Sequence, residues 1–257
     1  RYQNPQEMYR ELKKLQQGYD EAEENEDDTY SLVEDENGEL KRIDKKVFGP
    51  EEYVINVGPQ HPSTHGVMRY RAAIDGETVK KVDVVSGYIH RGIEKLCEDL
   101  TYPSLLLYTE RMDYMGAHMN RHATCLCIEK ALGIEVPHRA EVIRMMMDEL
   151  MRLSSHLLSY GCLTMDQGAT TAFFYGFHER EYIYDIFDKT CGARMSMSYD
   201  TIGGVVRDVH PDFVNDVRKA CDAIEKAIPE YHKLFSGNVI ALGRMKDVGT
   251  LSLEDAK

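Results

Sequence analysis

No two of the six cysteines, at positions 97, 125, 127, 162, 191 and 221, form a C-x-x-C pair. Several lie inside apolar helical patterns, so reduced, buried thiols of a cytoplasmic protein are expected. No stretch approaches the roughly 18 uninterrupted apolar residues of a membrane span, and no basic-then-apolar leader is present, which predicts a soluble or peripheral protein. An initiator Met is lacking as well. The chain begins at Arg1 and is expected to be a piece of a longer polypeptide. A basic face is also missing. The formal charge is −13, and residues 1–52 hold 16 acidic and 8 basic side chains against 28 and 23 for the remainder. Neither part offers the positive charge needed to neutralise phosphates, so nucleic acid is not expected as a partner.

A chain of 257 residues is long enough for a substantial core in one large or two small domains. Residues 5–18 have the spacing of a short amphipathic helix closed by Gly18. The run DEAEENEDD, Asp20 to Asp28, places seven acids in nine residues. It repels itself and buries nothing, so residues 19–50 are expected to be a solvated arm or linker, with an acidic segment 1–51 preceding a folded domain 52–257. From Glu52 the texture changes. EYVINV alternates as a strand does, VMRYRAAI sets Met68, Tyr70, Ala72 and Ile74 against Arg69 and Arg71, Asp75-Gly76 supplies a turn, and ETVKKVDVV returns. After Gly87 the period lengthens to nearly four, predicting helices over 91–100, 103–132, 138–160, 171–190 and 211–235. The expected fold is α+β, a small N-terminal antiparallel sheet packed on a mainly α-helical bundle.

Polar groups then stand where patterning does not explain them. The loop GPQHPSTHG, Gly58 to Gly66, contains Pro59 and Pro62, which fix φ and delete donors, so it cannot continue as a helix or central strand and must display His61 and His65. Glu110-Arg111-Met112-Asp113-Tyr114 sits in the apolar helical pattern LLLYTERMDYMGAHM. Burying Arg111 and Asp113 there costs about several kcal/mol unless each finds a partner. Tyr88-Ile89-His90-Arg91-Gly92 is a glycine-flanked turn with adjacent basic groups. Asp166, in GCLTMDQGA, suits a helix N-cap or a turn. His118 and His122 have metal-compatible i, i+4 spacing with Cys125 nearby, but no fourth ligand is in sequence reach, and no metal site is expected. The Met145–Met147 run reads as adaptable core or interface.

GPQHPSTHG, GYIHRGIEK (87–95), ERMDYMGAH (110–118), DQGATTAFFYGFHERE (166–181) and GGV (203–205), in that order and spacing, resemble the D or 49-kilodalton subunit of respiratory complex I, which is related by descent to the large subunit of nickel–iron hydrogenases. The likeness runs from about Glu52 to the end. Hydrogenases carry Arg-x-Cys-Gly-x-Cys where this chain has Arg111 to Gly116. Asp113 and Gly116 occupy both thiolate positions and cannot supply soft sulfur ligands, so hydrogen chemistry is excluded. What the resemblance implies instead is a cavity for a quinone headgroup, whose two carbonyl ends hydrogen-bond to His65 and Tyr114. Asp166 would stand behind His65 and fix its tautomer, with His61 beside it in the loop. Arg91 and Arg111 would lie toward an iron–sulfur cluster held by a neighbouring subunit, with no metal on this chain. The implied partners are the cluster-bearing subunit, the C-type subunit and the membrane quinone-channel subunit, at the cytoplasmic face of a bacterial inner membrane. The N-terminal tail would be the end of a fused C-type neighbour.

Two departures stand out. Where the family carries His after Arg-Met, this chain has Ser196, and where it carries Arg in Tyr-x-Arg-x-Gly-Gly, this chain has Thr201. Serine does not titrate near neutrality, so a cluster potential that depends on that histidine should vary little with pH. Two other readings stay open: a non-catalytic scaffold that keeps the pocket shape, and a subunit of a ferredoxin- or hydrogenase-linked membrane complex.

Overall fold

The computed structural model describes residues 29–34, 40–45, 48–49 and 51–257, so the helix expected over 5–18 and the acidic run that follows lie outside the described residues. Contacts divide the chain into two compact units, Arg1–Arg91 and Gly92–Lys257. Strands are concentrated in the first and helices in the second, an α+β chain as the two hydrophobic periods foretell.

Inside the stretch expected as an arm, β1 (Thr29–Glu34) and β2 (Leu40–Lys45) pair antiparallel, from Thr29 opposite Lys45 to Glu34 opposite Leu40. The sheet foreseen from Glu52 onward has three antiparallel strands: β3 (Tyr53–Val57), then, past the two-residue strands β4 (Gln60–His61) and β5 (Gly66–Val67), β6 (Arg69–Asp75) and β7 (Thr78–Val85). Its order is β3-β6-β7. The β6–β7 hairpin turns through Gly76, whose φ of 61° lies in the left-handed region that glycine enters freely. A register shift between Ala73 and Ile74 bends the central strand. Ala72 and Ala73 are buried, whereas Val82 and Val84 are exposed. The buried charge is Arg71, whose Nε and Nη2 both donate to Asp83 Oδ2 directly across the ladder, at 3.1 and 2.8 Å.

In the second unit, α1 (Ile93–Asp99), α2 (Tyr102–Glu110), α3 (Ala117–Leu132), α4 (His138–Asp166), α5 (Thr170–Cys191), α6 (Phe213–Tyr231) and α7 (Val239–Met245) are joined by short connections and by the two-residue ladder β8 (Asp200–Thr201) and β9 (Gly204–Val205). The core is drawn mostly from the inner faces of α4, α5 and α6, with Met147, Leu150, Met151, Ile183, Ile186, Phe187, Phe213 and Ile224 buried together. Of the methionine run, Met147 is fully buried, Met146 packs at the core edge and Met145 is exposed.

The helices differ from the sequence reading in several places: Val239–Met245 is a helix it did not include, and the one expected over 211–235 is α-helical to Tyr231 and continues as a π-helical turn over His232–Ser236. The helix expected over 103–132 is two helices, broken at Arg111–Gly116. There Asp113 Oδ1 accepts the Met115 N–H at 2.9 Å and so satisfies a donor the turn would orphan. The helix expected to stop at 160 runs on to Asp166. Gly161 does not end it. It lies where α5 crosses, and a Cβ there would meet Phe173 at 3.4 Å. Gly176 on α5 is tighter still, 2.8 Å from the Leu157 carbonyl oxygen, so these two glycines set the helix–helix approach.

Candidate functional site

In the first unit the histidine loop is built from its own short-range bonds. Gly58 has no room for a side chain, since a Cβ would lie 1.9 Å from the Met68 carbonyl oxygen. His61 closes β4 and caps a single 3-10 turn over Pro62–Thr64, its Nδ1 accepting the Ser63 N–H at 3.1 Å. Thr64 is buried beneath the turn and donates from Oγ1 to the His61 carbonyl at 2.8 Å. His65 then takes φ 48°, ψ 32°, a left-handed conformation uncommon outside glycine. Both imidazoles are exposed, as two prolines in nine residues require. Arg91 is also exposed, at the end of a turn in which His90 N–H bonds Gly87 O at 3.0 Å.

Arg111, Tyr114 and Asp166 belong to the second unit. Arg111 and Asp113 are not buried in a helix as the apolar pattern suggested. They are exposed on the turn between α2 and α3, where desolvation costs little. Tyr114 stands on the same turn, its side chain exposed. Asp166 is neither an N-cap nor a turn residue. It is the last residue of α4, exposed, with the chain closing behind it through Gln167 N–H to Leu163 O.

The charges that are buried are others, and sequence reasoning passed over most of them. Glu110, the last residue of α2, is 1% exposed. It accepts from Arg121 Nη1 at 3.0 Å, from Ser198 N–H at 2.7 Å and from Ser198 Oγ at 2.9 Å. One helix face on, Arg144 of α4 donates Nη1 and Nη2 to the two oxygens of Glu129 at 3.0 and 2.7 Å, and Nη2 also to the carbonyls of Thr201 and Gly204. The Gly203 N–H completes Glu129 at 2.7 Å. Burial raises the Glu129 carboxyl, but the bonds from Arg144 and Gly203 outweigh it and hold it below the ordinary range. The signal was available: α4 buries Ala140, Ile143, Arg144, Met147, Leu150 and Met151 in one helical stripe, and an arginine in such a stripe demands a carboxylate.

His118 and His122, the pair with metal-like spacing, are spent on a carboxylate. The Nδ1 atoms of the two imidazoles meet the two oxygens of Asp148 at 2.7 and 2.6 Å. On its other side His118 Nε2 faces Asp200 Oδ1 at 3.2 Å, too poorly directed for a hydrogen bond. Asp200 is fully buried and has Arg144 Nε at 3.9 Å. Burial alone would lower the His118 pKa. Interactions with Asp148 and Asp200 overcome it and raise it to about 9, so an imidazolium sits in the interior between two carboxylates. All six cysteines are free thiols. Burial pushes Cys125 up to about 11 and Cys191 up to about 12, which leaves both unreactive at neutral pH.

Chemically, the second unit presents an exposed phenol, guanidinium and carboxylate on one short turn, held from beneath by buried ion pairs. The first presents two imidazoles on a stiffened loop. Proton donation to a polar ligand is within the means of both. No group of metal-ligating side chains is assembled among the described residues, and no described helix is long and apolar enough to cross a membrane.

Residues 166–257 match the family described as respiratory-chain NADH dehydrogenase, 49 Kd subunit. The chain is 57% identical over 234 residues to the C/D subunit of the NADH-quinone oxidoreductase of Bacteroides thetaiotaomicron, covering 91% of this chain and 44% of that protein. It is 52% identical over 250 residues to the corresponding C/D fusion of Phocaeicola vulgatus, covering 94% of this chain and 48% of the relative. Against the second D-type protein of the NADH-quinone oxidoreductase of Rhizobium etli it is 45% identical over 218 residues, 85% of this chain and 54% of the relative. The chain thus spans about half the length of the curated relatives it matches.

Proposed function

Because the chain belongs to the 49-kilodalton, or D-type, family of respiratory-chain NADH dehydrogenase proteins, we propose that it forms part of the quinone-reducing site of a membrane-associated NADH:quinone oxidoreductase. In this reading residues 52–257 are the D-type domain, and residues 1–51 an acidic arm toward a C-type part of the same polypeptide. A quinone taking two electrons needs proton donors at both oxygens, and an imidazole and a phenol can each supply one. His65 and Tyr114 take those roles, Asp166 is the carboxylate that acts with them, and His61 stiffens the loop through Ser63. Arg91 and Arg111 supply positive charge toward an iron–sulfur cluster carried by a neighbouring subunit, where such charge favours the reduced state. The partners are then the cluster-bearing subunit, a C-type subunit and the membrane subunit that delivers quinone. The site is the cytoplasmic face of a bacterial inner membrane.

One observation carries this reading: the phenol of Tyr114 stands exposed on a turn whose ends are fixed, by Asp113 to Met115 on one side and by the buried Glu110–Arg121 pair on the other. A donor so placed is accessible yet positioned. Substituting His65→Ala or Tyr114→Phe in the assembled complex should cut quinone reductase activity at least about tenfold, while electron input to an artificial acceptor is unchanged. Near-normal quinone turnover in both variants would count against it and favour a scaffold that binds partners without chemistry.

A further inference from the structure

Arg180 of α5 is a buried cation that forms no ion pair with a carboxylate among the described residues. It is 3% exposed; by contrast the other buried arginines, Arg71, Arg121 and Arg144, each hold a carboxylate at 3.0 Å or less. Its hydrogen-bond partners are neutral, and Glu181, next in the chain, acts on it only through space. Nε donates to Ser154 Oγ at 3.2 Å, Nη2 reaches the Tyr184 hydroxyl and lies 3.9 Å from Met115 Sδ. The rings of Phe177 and Tyr184 flank the guanidinium carbon at 4.8 and 4.9 Å. Burial lowers its pKa, the direction expected of a charge that is desolvated and unpaired, though a guanidinium stays protonated at neutral pH. Nη1 bonds no described residue, yet it is not among the buried polar atoms sealed from solvent, so one edge of the fork is open.

The location gives this charge a use. Met115, against which Nη2 rests, follows Tyr114 directly in the chain, which puts Arg180 beneath the turn that carries the phenol. We propose that Arg180 is a further residue of the site, a fixed positive charge that offsets the negative charge developing beside Tyr114 during quinone reduction. This inference rests on the quinone-site reading above. In the step concerned, two electrons arrive from the one-electron carrier of the neighbouring subunit and two protons are taken up. The O–H bond at Tyr114 breaks as one forms at a headgroup oxygen, and the phenolate left behind is reprotonated from water. Arg180 transfers nothing. It lowers the energy of the anion at the moment of transfer, and being already oriented by Ser154, Phe177 and Tyr184 it needs no reorganisation to do so. A carboxylate on Arg180 would cancel the effect, which is why the neutrality of its partners matters.

The test compares Arg180→Lys with Arg180→Gln in the whole complex. Lysine keeps charge and loses the fork, glutamine keeps polarity and loses charge. For Arg180→Gln, quinone-reductase kcat should fall at least tenfold with KM within threefold, and electron input to an artificial acceptor should be unchanged. Arg180→Lys should retain at least a third of the wild-type kcat at pH 7. Equal rates for the two variants, whether both high or both low, overturn the proposal, as does a loss confined to KM. Should Arg180→Gln not assemble, the pH profile of Arg180→Lys decides. A buried lysine sheds its proton within reach of pH 10 while arginine does not, so the variant's kcat should fall between pH 7 and 10 relative to wild type. Parallel profiles overturn it. Failure of the underlying reading looks different, because Tyr114→Phe measured alongside would then turn over quinone normally.

Discussion

Replacing His118 with glutamine should remove a stabilisation that exists only while the imidazole is charged. In the folded chain its pKa is raised from 6.5 to about 9 by Asp148 and Asp200, against the opposing effect of burial. A group whose folded pKa is raised stabilises the fold fully below its unfolded value, and that contribution disappears as pH climbs through the folded value. The interval from 6.5 to about 9 corresponds to about 3 kcal/mol in full, to about 2 kcal/mol near pH 7.5 and to less than about 0.5 kcal/mol above pH 9. Asp148, held below its ordinary range by the same two histidines, is the other half of this interaction and adds no separate amount. The glutamine variant carries its own packing cost, which does not vary with pH. What matters is therefore the difference between wild-type and His118→Gln unfolding free energies, measured by urea titration at half-unit steps from pH 5.5 to 10. That difference should shrink by about 3 kcal/mol over the range, with its steepest decline between pH 7 and 9. A constant difference would mean that folding leaves the His118 pKa unshifted, and one that widens with pH that the imidazole is neutral in the folded protein; either result would refute the assignment of charge in this core.

The Arg144–Glu129 pair is 1% and 5% exposed at its side chains, so Arg144→Met should cost roughly 3–5 kcal/mol by leaving a buried carboxylate unpaired. Adding Glu129→Gln to it should cost less than the sum of the two single changes in a double-mutant cycle, and strict additivity would show that the two do not interact. Gly176→Ala should lower the melting temperature, because the new Cβ lies 2.8 Å from the Leu157 carbonyl, and overpacking of about 1–3 kcal/mol exceeds the helix-propensity gain of at most about 1. Gly161→Ala, with 3.4 Å to spare, should change it much less, and equal melting temperatures for the two would refute the close-crossing account. Alkylation at pH 7.5 should label Cys127 and Cys221, which are exposed, and spare Cys125 and Cys191 until the chain is unfolded. Early labelling of either buried thiol, read by mass spectrometry, would contradict its packing.

The parts of this fold that a sequence can announce are those governed by nearest neighbours. Alternation in residues 53–85 foretold the hairpin, and Pro59 and Pro62 foretold an exposed histidine loop, because period and φ restriction act within a few residues. Misreadings occurred where a distant partner decides. Gly161 looked like a helix end, yet it is a contact with Phe173 on the next helix. Arg111 and Asp113 looked buried because apolar residues surround them in sequence, but a short turn between two helices lifts them to the surface. His118 and His122 looked like an incomplete metal set, and the missing partner was Asp148, 26 residues beyond His122 on another helix. Of the candidate site residues, exposure could be inferred for the histidines alone. The acidic and basic residues beneath the site could be found only by asking which charges lie in an apolar stripe.

That buried layer bears on the two places where the chain departs from its family. Residues 198–204 are gripped through their backbone: Ser198 N–H by Glu110, Gly203 N–H by Glu129, the Thr201 and Gly204 carbonyls by Arg144, and the Asp200 carbonyl by Arg121. Three side chains add to this grip: Ser198 Oγ on Glu110, the buried Tyr199 whose hydroxyl donates to the Arg207 carbonyl, and Asp200 beside His118 and Arg144. Ser196 and Ser198 sit at φ 46° and 47°, a conformation that costs a non-glycine residue about 1–2 kcal/mol. Charge-assisted bonds from Glu110, each stronger than a neutral one, hold Ser198 there. An anchor that reads carbonyls and N–H groups is indifferent to which side chain leaves the same Cα. Threonine can therefore stand at 201, and serine at 196, without loosening the segment. The backbone of residues 198–204 is thus held by buried charges whatever side chains stand at 196 and 201.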